Sequence, residues 1–412
     1  MGDKEKLGFS EIVATHHQIH PQEKLMMVKT KSNKPISLGI PCENDRQEKR
    51  LALRPEAVSI LVNNGFDVII ETNAGEHCKH SDRQYSDQGA RISYSHKEVF
   101  ESDIVLKIAP PTLEEIEFMK PCNTLVSALQ MTTLTEEYLH AINKNRITAL
   151  GYELLQDSDN GLPLVRAMSE IAGSTVMLIA AEYLSSINDG KGIILGGVTG
   201  VPPTKVVIIG AGTVAEFAAR AALGLGAEVK IFDNQIHKLH RIKERLGQYH
   251  IYTSAIDSVM LQDALVRADV AVGALRAENG RTPMVVTEDL VAQMKPDSVI
   301  IDVAIDHGGC FETSRVTTLS KPTFRKFDVI HYCVPNVASR VARTATTAIS
   351  NIFTPLLLQV SDLGGVDNTI FEKAWFAKGV YAYRGGITNE AIAKKFKMKH
   401  KNLNLIIAAH MG

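Results

Sequence analysis

Apolar and polar positions along this chain switch between two periods. Short β-branched runs of strand length recur, and apolar residues at helical spacing fill the stretches between them. Strands are predicted over 35–41, 67–71, 103–108, 124–129 and 147–153, with helices over 55–64 and 134–145. The helix at Pro55 opens on proline and closes before Gly65, the residue types suited to each end. Residues 168–188 are small and apolar and predict a connecting helix, and glycine-rich 190–203 predicts a loop that bends the chain. Strands follow over 206–209, 228–233, 251–254, 270–275, 298–304 and 328–334. Helices are predicted over 213–225, between 233 and 251, over 257–267 and near 287–293. The long stretch 338–360 has few charges, so its helix is expected to be buried between domains or subunits. One more helix is expected over 389–396, and the basic run 394–401 reads as a solvated face. Strands alternating with helices predict an α/β fold built on parallel sheets.

The 412 residues exceed what one core usually holds, roughly 250–300 residues. Two Rossmann-like, doubly wound domains with a cleft between them are therefore expected. One spans 35–164 and is completed by 338–412; the other spans 165–337. Polar residues 1–34 form an extension, expected as a docking arm on a neighbouring subunit. The net charge of −1 gives no field for nucleic acid or an anionic membrane, and no basic patch interleaves with aromatics. No apolar run reaches the ~20 residues of a span, so neither membrane insertion nor a signal peptide is expected. Cys42, Cys78, Cys122, Cys310 and Cys333 are scattered, which suits free thiols and a cytoplasmic protein. Two apparent ligand clusters, His16/His17/His20 and His77/Cys78/His80, lack supporting ligand types and are not read as metal sites.

The most informative chemistry is Lys205-Val-Val-Ile-Ile-Gly-Ala-Gly-Thr-Val-Ala215. A buried strand runs into a G-x-G-x-x-A turn and a helix. Gly210 permits the turn, Gly212 lets a pyrophosphate approach the backbone, and Ala215 lets helix and strand pack closely. A second strand ends on Asp233, ~20 residues on, where the adenosine ribose is read. The order predicts dinucleotide binding. Asp233 would repel a 2′-phosphate and favours NAD, while Lys238 and Arg241 leave NADP open. Further expected cofactor contacts are Thr213 and Val214 in the first helical turn, Ala274 and Leu275 after a later strand, and Lys238, Ser254, Ser169 and Asn336.

Several segments together resemble the alanine dehydrogenase and NAD(P) transhydrogenase family. They are Gly39-Ile-Pro-x-Glu43 with Arg50 and Pro55, Asp103-Ile-Val-Leu-Lys107, and Tyr152-Glu153 with Gly161-Leu-Pro163. Met168-Ser-Glu-Ile-Ala-Gly173, Gly196-Gly-Val-x-Gly-Val201, Ile305-Asp-x-Gly-Gly-Cys-Phe-Glu312 and Tyr332-Cys-Val-x-Asn336 continue the match. The Gly-Leu-Pro, Ser-Glu-Ile-Ala-Gly and Gly-Gly-Cys-Phe-Glu segments are similar to the alanine dehydrogenase branch. The resemblance implies NAD in the interdomain cleft, a homo-oligomer (usually a hexamer), and oxidative deamination of L-alanine to pyruvate. Carried over by position, Arg50 would bind the substrate carboxylate through its planar fork. Asp306, beyond a strand's carboxyl end, would orient the nicotinamide ribose or the substrate amine. The family's catalytic lysine position falls on Ala109 and its histidine position on Gln130. Lys107 is two residues back, about 6.6 Å along a strand, and the family has a lysine there as well. Glutamine hydrogen-bonds but does not titrate near neutral pH. Arg50, Asp306, Lys107 and Gln130 are thus the catalytic candidates. The alternative is an NAD(H)-binding, transhydrogenase-like component without amino-acid chemistry.

Overall fold

The computed structural model describes residues 35–44, 47–131, 133–157, 159–276 and 281–411. The extension over 1–34, with His16, His17 and His20, lies outside the described residues. The apolar runs form β1 (Ile36–Ile40), β2 (Phe66–Glu71), β3 (Arg91–Ser93), β4 (Ile104–Leu106), β5 (Thr124–Ser127) and β6 (Thr148–Gly151). The next runs form β7 (Lys205–Ile209), β8 (Glu228–Phe232), β9 (Tyr252–Ser254), β10 (Val270–Gly273), β11 (Val299–Asp302), β12 (Thr323–Lys326) and β13 (Val329–Tyr332). Near the carboxyl terminus come β14 (Val380–Tyr383) and β15 (Gly386–Ile387).

These strands make two sheets. The first has the order β15-β14-β6-β5-β4-β1-β2-β3 and the second β12-β13-β11-β10-β7-β8-β9. Both are parallel except at one edge, where β14 and β15 in the first and β12 in the second run antiparallel. Sequence order reverses between β4 and β1 in the first sheet and between β10 and β7 in the second. Doubly wound sheets open a crevice at the carboxyl ends of the strands at that reversal. The two reversals therefore place the segments after β1, β4, β7 and β10 at the crevices.

Helices cover both sheets. Those used below are α1 (Pro55–Asn63), α2 (Pro163–Leu184), α3 (Thr213–Gly224), α4 (Ile236–Leu246) and α5 (Ala342–Asp362). Gly173 lets α2 and α3 approach, since a Cβ there would stand 2.4 Å from the Val214 carbonyl oxygen. Among the described residues α2 alone is long and apolar enough to cross a membrane by length and composition, with 22 residues and a mean hydropathy of 1.4 over an 18-residue window. Its apolar surface is spent on protein instead: Ala172, Val176, Met177, Ile179 and Ala180 are buried in the core beside β7 and α3. The few-charged α5 packs Ile349, Phe353 and Leu357 into the core of the first sheet. Phe353 meets the Tyr152 ring edge-on at 5.8 Å between centroids.

The structure departs from expectation mostly at strand ends. The strands predicted over 103–108, 270–275 and 298–304 each stop two residues early, at Leu106, Gly273 and Asp302. Asp302 ends β11 by capping the turn Val303–His307, its carboxylate accepting from the Ala304 N–H at 3.1 Å. Pattern reading missed β3, β12, β14 and β15. All are short and three are sheet edges, while β14 pairs onto β6 from more than two hundred residues away and carries β15 on its other side.

Candidate active site

The fingerprint turn is built as its residues dictate. Gly210 adopts φ +114°, and a Cβ there would stand 2.4 Å from the Ala274 carbonyl oxygen. Ala274 is held in that place by its N–H, which donates to the Ile209 carbonyl at 2.8 Å. Gly212 is the residue before α3, and a Cβ there would meet nothing within 4 Å. A glycine with open space is wasted on packing but lets an anion reach the backbone N–H groups of Thr213 and Val214 at the helix start. Asp233 is buried at the end of β8. Its carboxylate accepts from the Ala211 N–H at 2.8 Å and the Gln235 N–H at 2.7 Å. These bonds tie the acid to the glycine turn and leave lone pairs for a sugar hydroxyl. The Ser254 carbonyl accepts from the Asp233 N–H at 3.2 Å, while its hydroxyl donates to Ala255. On α4, Arg241 donates to the Ala211 carbonyl at 3.3 Å, and Lys238 is half-buried. Leu275 flanks the turn half-buried. Ser169 lies on α2 and spends its hydroxyl on the Val165 carbonyl at 2.7 Å.

The loop after β1 carries two carboxylates, Glu43 and Glu48, that the sequence reading did not rank. Glu43 accepts from Lys107 Nζ at 2.9 Å, from the Ile108 N–H at 2.6 Å and from the Ala109 N–H at 3.1 Å. Lys107 is 2 % exposed, so its ammonium is committed to this buried pair. A catalytic role for Lys107 would require its ammonium to act from within this pair. Ala109 brings only a methyl group.

Glu48 grips Arg50 with both oxygens, receiving Nε at 2.7 Å and Nη2 at 2.6 Å. Burial raises the Glu48 carboxyl, but the Arg50 fork and the Asn336 amide outweigh it and hold its pKa below the usual range. The fork leaves Arg50 Nη1 outside the pair. Asn336 Nδ2 donates to Glu48 at 2.8 Å, and the Asn336 N–H donates to Asp306 at 3.1 Å. Arg50, Glu48, Asn336 and Asp306 thus form one hydrogen-bonded chain that crosses from the first sheet to the second. The adjoining bonds Lys49 N–H to Ser339 Oγ and Leu319 N–H to Gln47 Oε1, each 2.8 Å, close the same seam.

Asp306 lies in the turn after β11, accessible to solvent yet ringed by protein. Crowding by protein raises its pKa, against the pull of the Asn336 N–H, His307 and Arg50. Gln130, after β5, is exposed and left-handed at φ +47°. Glu153 fixes it there: one oxygen accepts the N–H groups of Leu129 at 2.7 Å and Gln130 at 3.1 Å, and the other is buried without a partner among the described residues. Glu153 and Glu43 escaped ranking because their partners lie 23 to 66 residues away, with no local spacing to reveal them.

Among the described residues no three His, Cys, Asp or Glu side chains gather as a metal site. Cys78 faces inward, its Sγ 3.1 Å from the Lys49 carbonyl and 3.0 Å from Thr346 Oγ1. All five cysteines are free. Burial pushes the Cys42 thiol up to about 12 and the Cys333 thiol up to about 11, so neither is a ready nucleophile.

Known proteins share this fold. The family model described as "Alanine dehydrogenase/PNT, N-terminal domain" matches residues 39–172, and "Alanine dehydrogenase/PNT, C-terminal domain" matches residues 176–390. The alanine dehydrogenase of Mycolicibacterium smegmatis is 38% identical over 358 residues, 87% of this chain and 96% of that protein. Alanine dehydrogenase 2 of Staphylococcus aureus is 36% identical over 369 residues, 89% of this chain and 98% of that protein. A solved L-alanine dehydrogenase superposes with a TM-score of 0.82 at 34% identity, over 88% of this chain and 99% of that one. A transhydrogenase from Sinorhizobium meliloti shares the fold, with a TM-score of 0.74 at 21% identity over 86% of this chain and 99% of that one. With matches that span both halves of the chain and nearly the full length of these relatives, the protein belongs to the alanine dehydrogenase/PNT family.

Proposed function

We propose that this chain is an NAD-dependent oxidoreductase of the alanine dehydrogenase type, acting on a small L-amino acid and its 2-oxo acid. The observation that carries the reading is the combination of two features. An open glycine turn at Gly212 occurs in the same chain as the hydrogen-bonded series Arg50–Glu48–Asn336–Asp306. The site residues fit a dinucleotide: Gly210 and Gly212 form a cradle without side chains, and Asp233 is fixed beside it to accept a ribose hydroxyl. Bound there, the nicotinamide supplies the hydride acceptor for oxidation at Cα.

The chain's own residues then divide the work. Arg50, braced by Glu48, offers Nη1 to the substrate carboxylate. Asp306 accepts from the substrate amine or a ribose hydroxyl. Gln130 offers an amide to the reacting polar group but moves no proton. General acid–base catalysis is worth ~10²–10⁴-fold, so turnover with L-alanine is slow, or water carries the proton.

The division of labour follows the sheets: 35–164 with 338–412 holds substrate, and 165–337 holds the cofactor. The protein works in the cytoplasm as a homo-oligomer, a hexamer on the family's pattern, which light scattering after size exclusion tests. Assaying NADH oxidation with ammonia and pyruvate, then with a panel of other 2-oxo acids, tests the activity; silence on every substrate refutes it.

A second reading, an NAD(H)-binding component that passes hydride to a partner, is favoured by the methyl of Ala109 and the non-titrating Gln130. The double change Ala109→Lys with Gln130→His separates the two. Gain of pyruvate amination supports the dehydrogenase reading, and nucleotide exchange without amino-acid chemistry supports the second.

A further inference from the structure

Asp302 is the last residue of β11 and is 1 % exposed. Its carboxylate is bonded to the segment that follows it, and to neutral donors throughout. Oδ1 accepts from the Ala304 N–H at 3.1 Å and stands 3.8 Å from the Cys310 Sγ. Oδ2 accepts from the Cys310 N–H at 2.9 Å, the Phe311 N–H at 3.4 Å and the Ser314 hydroxyl at 2.7 Å. An ionised carboxylate accepts on both oxygens and donates from neither, so it matches this set of donors. Burial makes the match compulsory, because each donor left unpaired there forfeits its bond to water.

The two oxygens also occupy the space that two glycines leave. A Cβ at Gly309 would stand 2.6 Å from Oδ2, and a Cβ at Gly273, the last residue of β10, would stand 2.6 Å from Oδ1. Between the bonded ends lies the turn Val303–His307, which carries Asp306. Gly308 and Gly309 bring the chain back with φ of +101° and +79°. Their N–H groups donate to the Ile305 and Ala304 carbonyls, each at 3.0 Å. Asp302 thus grips a short loop at both ends, at Ala304 and at Cys310. Asp306 begins the exposed part of that loop, and its carboxylate accepts from the Asn336 N–H at 3.1 Å.

We infer that Asp302 is a positioning residue for Asp306: its buried carboxylate fixes the loop so that Asp306 meets the reacting substrate in one orientation. The inference rests on the dehydrogenase reading and names a residue that touches neither substrate nor cofactor. Misplacing a catalytic group by about 1 Å can cost ~10²-fold in rate. Asparagine does not restore the grip. Whichever way its amide is turned, the NH2 faces a backbone N–H, of Ala304 or of Cys310. The far end of the loop has anchors of its own, since the Cys310 carbonyl accepts from the N–H groups of Val285 and Val286 at 3.0 and 3.1 Å. Loss of the Asp302 carboxylate therefore loosens the turn rather than the domain.

The test uses the full chain. Turnover is measured with ammonia and the 2-oxo acid that the wild type uses fastest, NADH Kd by nucleotide fluorescence, and backbone hydrogen exchange over residues 303–311. Asp302→Asn lowers kcat about 10²-fold and raises exchange over 303–311, while NADH Kd stays within about twofold. Ser314→Ala removes one donor from the grip and shows the same pattern at about tenfold. It gives the answer where Asp302→Asn does not fold. A role confined to holding the fold moves Tm, NADH Kd and kcat together, and that pattern overturns the inference. Unchanged kcat or unchanged exchange over 303–311 in both variants overturns it as well. A wild type silent on every 2-oxo acid refutes the dehydrogenase reading instead. Exchange over 303–311 still decides whether Asp302 orders the turn, so the two failures are told apart.

Discussion

At the scale of single residues, burial decides which ionisable groups are available. Lys107 is the clearest case. Its neighbour in space, Glu43, comes from a loop 64 residues earlier, and the pair is sealed from solvent. Glu43→Gln leaves a buried ammonium without a counter-charge, which typically costs about 3–5 kcal/mol; denaturant unfolding should show that loss. His331 gives a prediction with a definite sign. It is fully buried, its ring bonded to Thr313 Oγ1 at 2.8 Å and to the Val329 carbonyl at 3.0 Å. Burial, helped by Lys326 and Arg315, lowers its pKa to about 4. The fold favours the neutral ring, so its contribution is complete above the unfolded value of about 6.5. It is lost as pH falls through 6.5 towards 4, on the order of 3 kcal/mol in all. In His331→Gln that part of the acid limb should disappear from the stability–pH curve. Neither environment was legible in the sequence, because a titratable residue's partners come from other strands. The residue types at 109 and 130 were legible at once, since what a side chain lacks needs no structure to read.

At the scale of elements, the glycine turn was almost wholly readable, because its requirements are local. Its two glycines do different jobs. Gly212→Ala adds a methyl into open space, so Tm should stay within a degree or so, while NADH affinity should fall about tenfold or more, ~1.4 kcal/mol. Gly210→Ala should instead destabilise the fold, since φ is +114° and the Ala274 carbonyl oxygen stands 2.4 Å from the new Cβ. Melting curves and nucleotide titrations of the two variants separate the roles. If both variants lose stability equally, the open cradle is misassigned. Strand ends were read too long for a consistent reason. The apolar run continues past the last strand residue, as at Ile108 and Ala274, which each keep one inter-strand bond without extending the strand.

At the scale of the whole molecule, the carboxyl-terminal segment belongs to the first sheet through β14 and β15. Removing residues 379–412 uncovers the edge of β6 and strips Tyr381, Ile387 and Ile392 from the core beneath it. Such a truncation should give aggregated protein, where circular dichroism of the full chain shows a cooperative melt; a soluble, cooperative fragment would refute this assembly. The sequence by itself determined the alternation of strands and helices, the glycine turn and the family. Each rests on residues within a few positions of one another, where backbone geometry and side-chain size act directly. Only the tertiary structure decided that Lys107 is locked to Glu43 and that Arg50 is braced by Glu48. It also linked Asn336 to the loop after β1, 288 residues away. Hydrogen bonds and charge pairs select partners by distance in space, and the chain's periodicity carries no record of that distance.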